Sequence, residues 1–349
     1  MKHLKILTVV ASAMLASAGN AWAQRYKVIE QPLSRDLSGY LLRTTALNDT
    51  GGSTVDAYIN AISKAEVCAP AACERMPLLP HHGSSPTTSA SGINDAGHVA
   101  GSTSDRGTVR AVLLKDGELI NLGALADGKG LMSLASGVNN AGVVAGFGQL
   151  ADGTWRAFHW QAGVMTVLPT LGGVTSEAMA INEAGQITGM SYTAGDERHA
   201  FLWSDGTLID LGTLGGEYSI GNAINRHGVV VGSAARPTGR RLRPFRYRDG
   251  VMEDLGALPT GDSGAALGIN DAGEVVGMAN IAPVQRHVYR GFLFDAQGMH
   301  DLNDLLRASD RKLYRIERAD DINNHGDIAA QAVRKSDDET VAVILKRID

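Results

Sequence analysis

Ile181-Asn182-Glu183-Ala184-Gly185 decides the fold, because it recurs along the chain. It appears as Ile93-Asn94-Asp95-Ala96-Gly97, Val138-Asn139-Asn140-Ala141-Gly142 and Ile224-Asn225-Arg226-His227-Gly228. It appears again as Ile269-Asn270-Asp271-Ala272-Gly273 and Ile322-Asn323-Asn324-His325-Gly326, with a weaker first copy at Leu47-Asn48-Asp49-Thr50-Gly51. The asparagines are spaced 46, 45, 43, 43, 45 and 53 residues apart. Self-similarity at such a period marks a repeat architecture, and each copy is one supersecondary unit.

The unit around Asn182 shows the grammar. A short apolar segment ends at Ile181, and Asn182 to Gly185 form a tight turn. Asn bonds the turn backbone and Gly accepts positive φ. Gln186–Ser191 reads as a second strand, and His199-Ala200-Phe201-Leu202-Trp203 as a third. Asp205-Gly206 is a two-residue hairpin signal, and Thr207–Leu211 reads as a fourth strand. Four short strands per unit of this length make a propeller blade. The fold class is therefore all-β, a seven-bladed β-propeller. The last copy lacks a fourth strand, and Tyr26-Lys27-Val28-Ile29-Glu30 supplies one, so the N-terminal strand is expected to close the ring and remove its open edges. In blade one, Lys64–Cys68 reads as strand three and Ala69–Ala72 replaces the Asp-Gly turn. Cys68 and Cys73 then face each other across a hairpin and are expected to form a disulfide, a staple and not a redox pair.

The first 23 residues read as a signal peptide: Lys2 and Lys5, the apolar run Ile6–Ala18, then Ala21-Trp22-Ala23 before the cut. An uncleaved anchor is the alternative, disfavoured by the shortness of the run. Residues 24–349 form a single propeller domain. Removing Lys2 and Lys5, and no acid, takes the formal charge from −5 to −7. That charge argues against non-specific nucleic-acid binding, and no later apolar run is long enough for a membrane span. The expected localisation is periplasmic or extracellular, as a monomer.

The repeats resemble the bacterial extracellular family named for its His-Ala-Phe motif, the HAF repeats. His199-Ala200-Phe201-Leu202-Trp203, Asp205-Gly206 and Asp210-Leu211-Gly212-Thr213-Leu214-Gly215-Gly216 carry the resemblance. Arg156-Ala157-Phe158-His159-Trp160 matches in part, and Arg243-Pro244-Phe245 and Arg290-Gly291-Phe292 depart at the first two positions. The resemblance spans essentially the whole mature chain. It implies export and a repeat fold, and carries no catalytic residues with it.

Turns between strands one and two, and between strands three and four, share one face of the ring. The other two connections share the opposite face and vary from copy to copy. Variable loops on one face of a repeat scaffold are where binding resides. At the edge of that face a basic residue precedes the strand-three Ala: Lys64, Arg110, Arg156, His199, Arg243 and Arg290, interrupted only by Val341. Such a ring suits a carboxylate or phosphate. The alternative, which the periodicity favours, is that each cation holds neighbouring blades in register. Arg236, Arg240, Arg241, Arg243, Arg246 and Arg248 cluster in blade five and read either as a polyanion grip or, more plainly, as a solvated face.

Catalytic signatures are missing. No His-Glu-x-x-His, Cys-x-x-Cys, P-loop or Gly-x-Ser-x-Gly pattern occurs. His81-His82 would be a guess for a site in the central funnel. The sequence implies no metal and no cofactor. The reading is an exported binding or interaction module acting through its variable face on an unknown anionic ligand, a cell-surface polymer or a protein. The alternative is a propeller hydrolase or lyase acting on an extracellular glycan or small molecule in the funnel. The side chains lining that funnel discriminate the two.

Overall fold

Seven four-stranded antiparallel sheets stand around one axis, six in the order of the chain and the seventh completed by the N-terminal strand. The computed structural model describes residues 25–34, 37, 40–59, 62–79, 87–105, 108–126, 131–237, 241–281 and 288–348. The expected signal peptide, residues 1–23, together with His81-His82 and Arg240, lies outside the described residues. Blade four is representative: Gly172–Ile181, Ile187–Thr193, Arg198–Ser204 and Thr207–Gly212. Its last hairpin turns on Asp205 at φ +48° and Gly206 at φ +83°, the two positive angles that an Asp-Gly hairpin supplies. Each first strand contacts the first strands of both neighbouring blades, so the first strands ring the axis.

The core lies between blades. The phenylalanine of the third strand, Phe158, Phe201, Phe245 or Phe292, is fully buried. Each packs on the blade before it, as Phe201 does with Ala145 and Ala157 of blade three. Second strands such as Val230–Ala235 and Val275–Asn280 are buried along nearly their whole length because both of their faces are covered. Gly189 shows how close that packing is: a Cβ there would lie 1.9 Å from the Glu177 carbonyl oxygen.

The repeated asparagine does two jobs, of which only the turn was expected. Its Oδ1 accepts from the backbone N–H four residues on, as Asn182 does from Gln186 at 2.9 Å. Its Nδ2 donates to the carbonyl of the equivalent asparagine in the next blade. The chain of bonds runs Asn48 to Asn94, Asn94 to Asn139, Asn139 to Asn182 and Asn182 to Asn225. It continues Asn225 to Asn270, Asn270 to Asn323, and Asn323 back to Asn48, with distances of 2.7–3.3 Å. All seven side chains are buried. The next residue adds a partial second ring: the Asp49 N–H donates to Asp95 Oδ1 and the Asp95 N–H to Asn140 Oδ1, both at 2.9 Å. Arg226 interrupts it because a guanidinium cannot accept.

Blade seven closes as expected. Tyr26–Glu30 is its fourth strand, with Val28 opposite Leu345 and Glu30 opposite Val343. The 53-residue spacing before Asn323, which carried no helical signal, holds two short helices, α1 (Leu302–Leu305) and α2 (Ala308–Leu313). They cover the outer edge of the closing strand. The Arg307 N–H donates to the Tyr26 carbonyl at 3.0 Å, and the Val28 N–H donates to Asp310 Oδ2 at 2.8 Å. Arg334 clamps Glu30 at 2.8 Å. In blade one the third strand runs Ile62–Ala69 and the fourth Ala72–Arg75, so Pro70-Ala71 alone make the turn. Cys68 and Cys73 are directly opposed and disulfide-bonded, with Cα atoms 4.0 Å apart. This is closer than the usual Cα separation of about 4.4–6.8 Å.

Two predictions follow from the ring and its closure. Asn182→Ala strands a buried carbonyl on Asn225 and a buried N–H on Gln186, each costing about 1–3 kcal/mol. Denaturant melts should show a loss of about 2 kcal/mol or more, and Asn182→Asp, which keeps the turn acceptor, should recover part of it. A loss within about 0.5 kcal/mol, as for an ordinary surface change, would refute the inter-blade role.

The second concerns pH. The hydrogen bond from Arg334 holds the Glu30 carboxyl below its ordinary range against the cost of burial. Burial pushes Asp310 up, but the Val28 N–H, Ser309 and Arg307 together bring it below its ordinary range. Both therefore stabilise above the ordinary carboxylate range, and that stability is lost as pH falls through their lowered values. Burial pushes Asp56 and Asp321 up to about 7. Between about pH 4 and 7 the folded chain holds protons there that the unfolded chain releases, so stability falls as pH rises across that window. The melting temperature should therefore be highest at about pH 4, the acid end of that window, and fall toward neutrality. Asp56→Asn, which keeps the acceptor for the Ala90 N–H, should flatten the neutral side in calorimetry.

Candidate functional site

The two faces of the ring differ in how their polar groups are used. On the turn face the asparagine ring and its neighbours bond blade to blade. On the variable face a second set of seams appears, beside the basic series. The strand-three Ala N–H donates to the hydroxyl opening the next blade's first strand: Ala65 to Thr88, Ala111 to Ser133, Ala157 to Ser176 and Ala200 to Ser219, at 2.7–3.1 Å. At the next seam both partners change together. Pro244 has no N–H to give, and Gly264, which opens blade six, has no hydroxyl to receive it.

The basic residue sits one place before that Ala. Strand register puts all of them at equivalent sites: Lys64 opposite Ala57, Arg110 opposite Thr103, Arg156 opposite Gly148 and His199 opposite Ser191. Arg243 stands opposite Ala234, Arg290 opposite Ala279, and Val341 opposite Ala332 in the blade that lacks the cation. None is fully buried, contrary to what a purely structural role leads one to expect. Their partners divide them. His199 Nδ1 lies 2.9 Å from Asp210, Arg243 Nε 3.2 Å from Asp254, and Arg290 Nε 4.0 Å from Asp301. The acid is always eleven residues further on, in the fourth strand. At that offset Arg110 meets Asn121, Arg156 meets Val167 and Lys64 meets Arg75. Arg110 instead bonds the Leu131 carbonyl before blade three, and Lys64 lies over the Tyr40 ring at 5.1 Å. Arg156 has only the carbonyl of Trp155 at 3.5 Å and the charge of Asp152 nearby. The fixed offset is a sequence signal that would have sorted the series.

Blade five sorts in the same way. Arg241 pairs with Asp262, Arg243 with Asp254, Arg246 with Glu253 and Arg248 with Asp249. Arg236 is exposed and makes no side-chain hydrogen bond or ion pair among the described residues. It lines a cleft of about 620 Å³ between blades four and five, with Arg198, Glu217, Tyr218 and Leu242. The Arg198 guanidinium lies 3.8 Å from the Tyr218 ring centre. Burial pushes Tyr218 up, opposed by Arg198, and burial likewise pushes up the neighbouring Glu177. Arg198 and Tyr218 were missed in the sequence, since neither belongs to a periodic series. A second cleft of about 630 Å³ opens on the same face beside Val341, lined by Glu30, Leu37, Tyr40, Leu42 and Arg334 among others.

The first strands, which ring the axis, are mixed in character. Blades one, two and seven contribute polar first-strand residues such as Arg43, Ser89 and Arg318, whereas Leu134, Ile220 and Leu267 come from blades three, five and six. Arg43 and Arg318 converge on Asp320 Oδ1, at 2.7 and 2.5 Å, tying blade one to blade seven. Asp320 Oδ2 is buried without a partner. No histidine stands on a described first strand. Among the described residues no group of three or more His, Cys, Asp or Glu is placed to hold a metal ion.

Residues 173–346 match the model of a family described only as a protein of unknown function, DUF3466. No curated protein matches the sequence. Among solved structures, the chain is similar to the β-propeller domain of the Trilobed protease from Pyrococcus furiosus. That match has a TM-score of 0.55 and 8% identity, over 89% of this chain and 96% of that one. It is similar also to a puromycin-hydrolyzing peptidase of Mycobacterium tuberculosis, with a TM-score of 0.52 and 11% identity, over 92% of this chain and 56% of that one. TolB from Acinetobacter baumannii matches at a TM-score of 0.46 and 13% identity, over 81% of this chain and 59% of that one. The chain thus spans under two thirds of the TolB and peptidase chains. At these identities the likeness establishes the propeller fold alone.

Arg110 and Arg156 should now behave differently. Arg110→Ala removes a charged hydrogen bond across a blade seam and should lower stability by about 1–3 kcal/mol. Arg156→Ala removes no such bond and should leave the melting temperature unchanged. Equal losses in both variants would contradict the division drawn from their partners.

Proposed function

We propose that this protein is an exported binding module that acts through its variable-loop face. One observation carries the reading. The turn face commits its repeated asparagines to bonds between blades, whereas the opposite face presents two preformed clefts and the cations Arg156 and Arg236, which have no acid partner among the described residues. Ligand sites are few, concave and largely preformed, with a small number of placed polar groups. The Cys68–Cys73 disulfide supports an oxidising compartment. The guanidiniums of Arg156 and Arg236, which have no carboxylate partner among the described residues, favour an anionic ligand, such as a polymer of the cell envelope. The propeller-enzyme alternative draws support from the buried, pKa-raised Asp56 near the axis. Among the described residues the one hydrogen bond to the Asp56 carboxyl comes from the Ala90 N–H, with Arg43 as the charge beside it.

The test uses the mature chain with polygalacturonate, dextran and peptidoglycan in sedimentation and calorimetry. Reducing ends are assayed in parallel. A variable-face pair, Arg156→Ala with Arg290→Ala, is compared with a turn-face pair of equal charge, Lys115→Ala with Arg248→Ala. Binding should fall only in the first pair, and its difference from the wild type should narrow as salt rises and screens the attraction. Equal effects from both faces would refute the assignment, and sustained release of reducing ends would establish the enzyme instead.

A further inference from the structure

We propose that the cleft between blades four and five seats a carboxylate-bearing sugar, a hexuronate-like unit, through Arg198 and Arg236. This inference rests on the variable-face reading and names the chemistry of one site within it.

The cleft is preformed. Its wall is the inter-blade loop Gly215–Tyr218, stitched to both neighbours by backbone hydrogen bonds. The Arg198 N–H donates to Glu217 O at 3.2 Å, the Gly216 N–H to Ala235 O at 3.0 Å, and the Ala235 N–H to Tyr218 O at 2.7 Å. Gly216 is required for that approach, because a Cβ there would lie 2.7 Å from the Arg236 carbonyl and 2.8 Å from the Ala235 Cβ. A wall fixed in this way loses little freedom when a ligand arrives.

Its donors are oriented and uncommitted. The Arg198 guanidinium lies over the Tyr218 ring with Glu177 as the nearby charge, and among the described residues no carboxylate accepts a hydrogen bond from it. Arg236 lines the same cleft as Arg198, while the other described arginines of blade five all have acid partners. Guanidinium groups bind carboxylates through paired N–H donors. The same cleft carries Glu217, exposed and acceptor-only, with the apolar edges of Pro237 and Leu242. A polyanionic group such as a phosphate dianion would be repelled by Glu217 and by Glu177 beyond it. A singly charged carboxylate on a hydroxylated ring suits all of them. The carboxylate meets the two guanidiniums, hydroxyls donate to Glu217, and the ring's apolar face lies on Pro237 and Leu242.

Calorimetry with digalacturonate as probe tests this, with galactobiose as the neutral control and inorganic phosphate as competitor. The wild-type mature chain should bind digalacturonate, ignore galactobiose and resist displacement by phosphate. Arg236→Ala, at an exposed position, should keep its melting temperature and lose about tenfold in affinity or more, and Arg198→Gln should do likewise. Affinity unchanged in both variants, but lost in the Arg156→Ala/Arg290→Ala pair, would overturn the cleft assignment and leave the face reading standing. Absence of digalacturonate binding, equal binding of galactobiose, or displacement by phosphate would each overturn the assignment outright. The face reading is judged separately by its polymer assay.

Discussion

A closed circle of seven carboxamide hydrogen bonds holds this propeller together. Each blade offers one asparagine whose Oδ1 folds its own turn and whose Nδ2 reaches the next blade. No bond in the circle is terminal, because Asn323 returns to Asn48. The constraint is geometric as much as energetic. The carboxamide has one acceptor and two donors in a fixed plane, so satisfying the turn aims the donor at the neighbour. Aspartate would keep the turn and lose the link, and serine would lack the reach. A buried amide in this position tolerates no half-measures, since an unmade bond leaves a polar group without water.

This circle separates the tasks of the two faces. Where the turns interlock, loop length is fixed by the ring, and the copies look alike. On the other face the seams are made by an Ala N–H and a Ser or Thr hydroxyl near the strand ends. The loops beyond them are free to vary. The basic residue next to each seam then takes whatever partner its blade provides. In blades four to six that is an aspartate of the fourth strand. In blade three there is none, and Arg156 is left to the solvent side.

The fold was legible in the sequence because turn chemistry is local. Asn182 and Gly185 announce their turn without reference to any other blade, and seven such turns count the blades. The missing fourth strand and the spare N-terminal segment were legible for the same reason. The donor half of each asparagine was not, because Nδ2 finds its partner 43 to 53 residues away, or 275 for Asn323, in a geometry set only by closure. The α1–α2 insert was hidden because it is two short turns whose buried faces, Leu302 and Leu305, pack beneath the closing strand. The candidate site was less legible still. The basic series was found by register, but its division depended on residues eleven places on, and Arg198 and Arg236 gain meaning only when two blades meet.

The clamp between Glu30 and Arg334 joins residues 304 positions apart in sequence. The first strand of the ring therefore waits for the last to be synthesised. Until then one blade lacks its outer strand and the circle of asparagines has a gap at Asn48. Bringing such distant segments together carries a large loop-closure entropy before any contact rewards it. Ring closure belongs at the end of folding, and the six internal blades can form beforehand as a curved, incomplete array. The nascent chain thus remains open for as long as its C-terminal strand is withheld, and the rigid circle appears in a single late event.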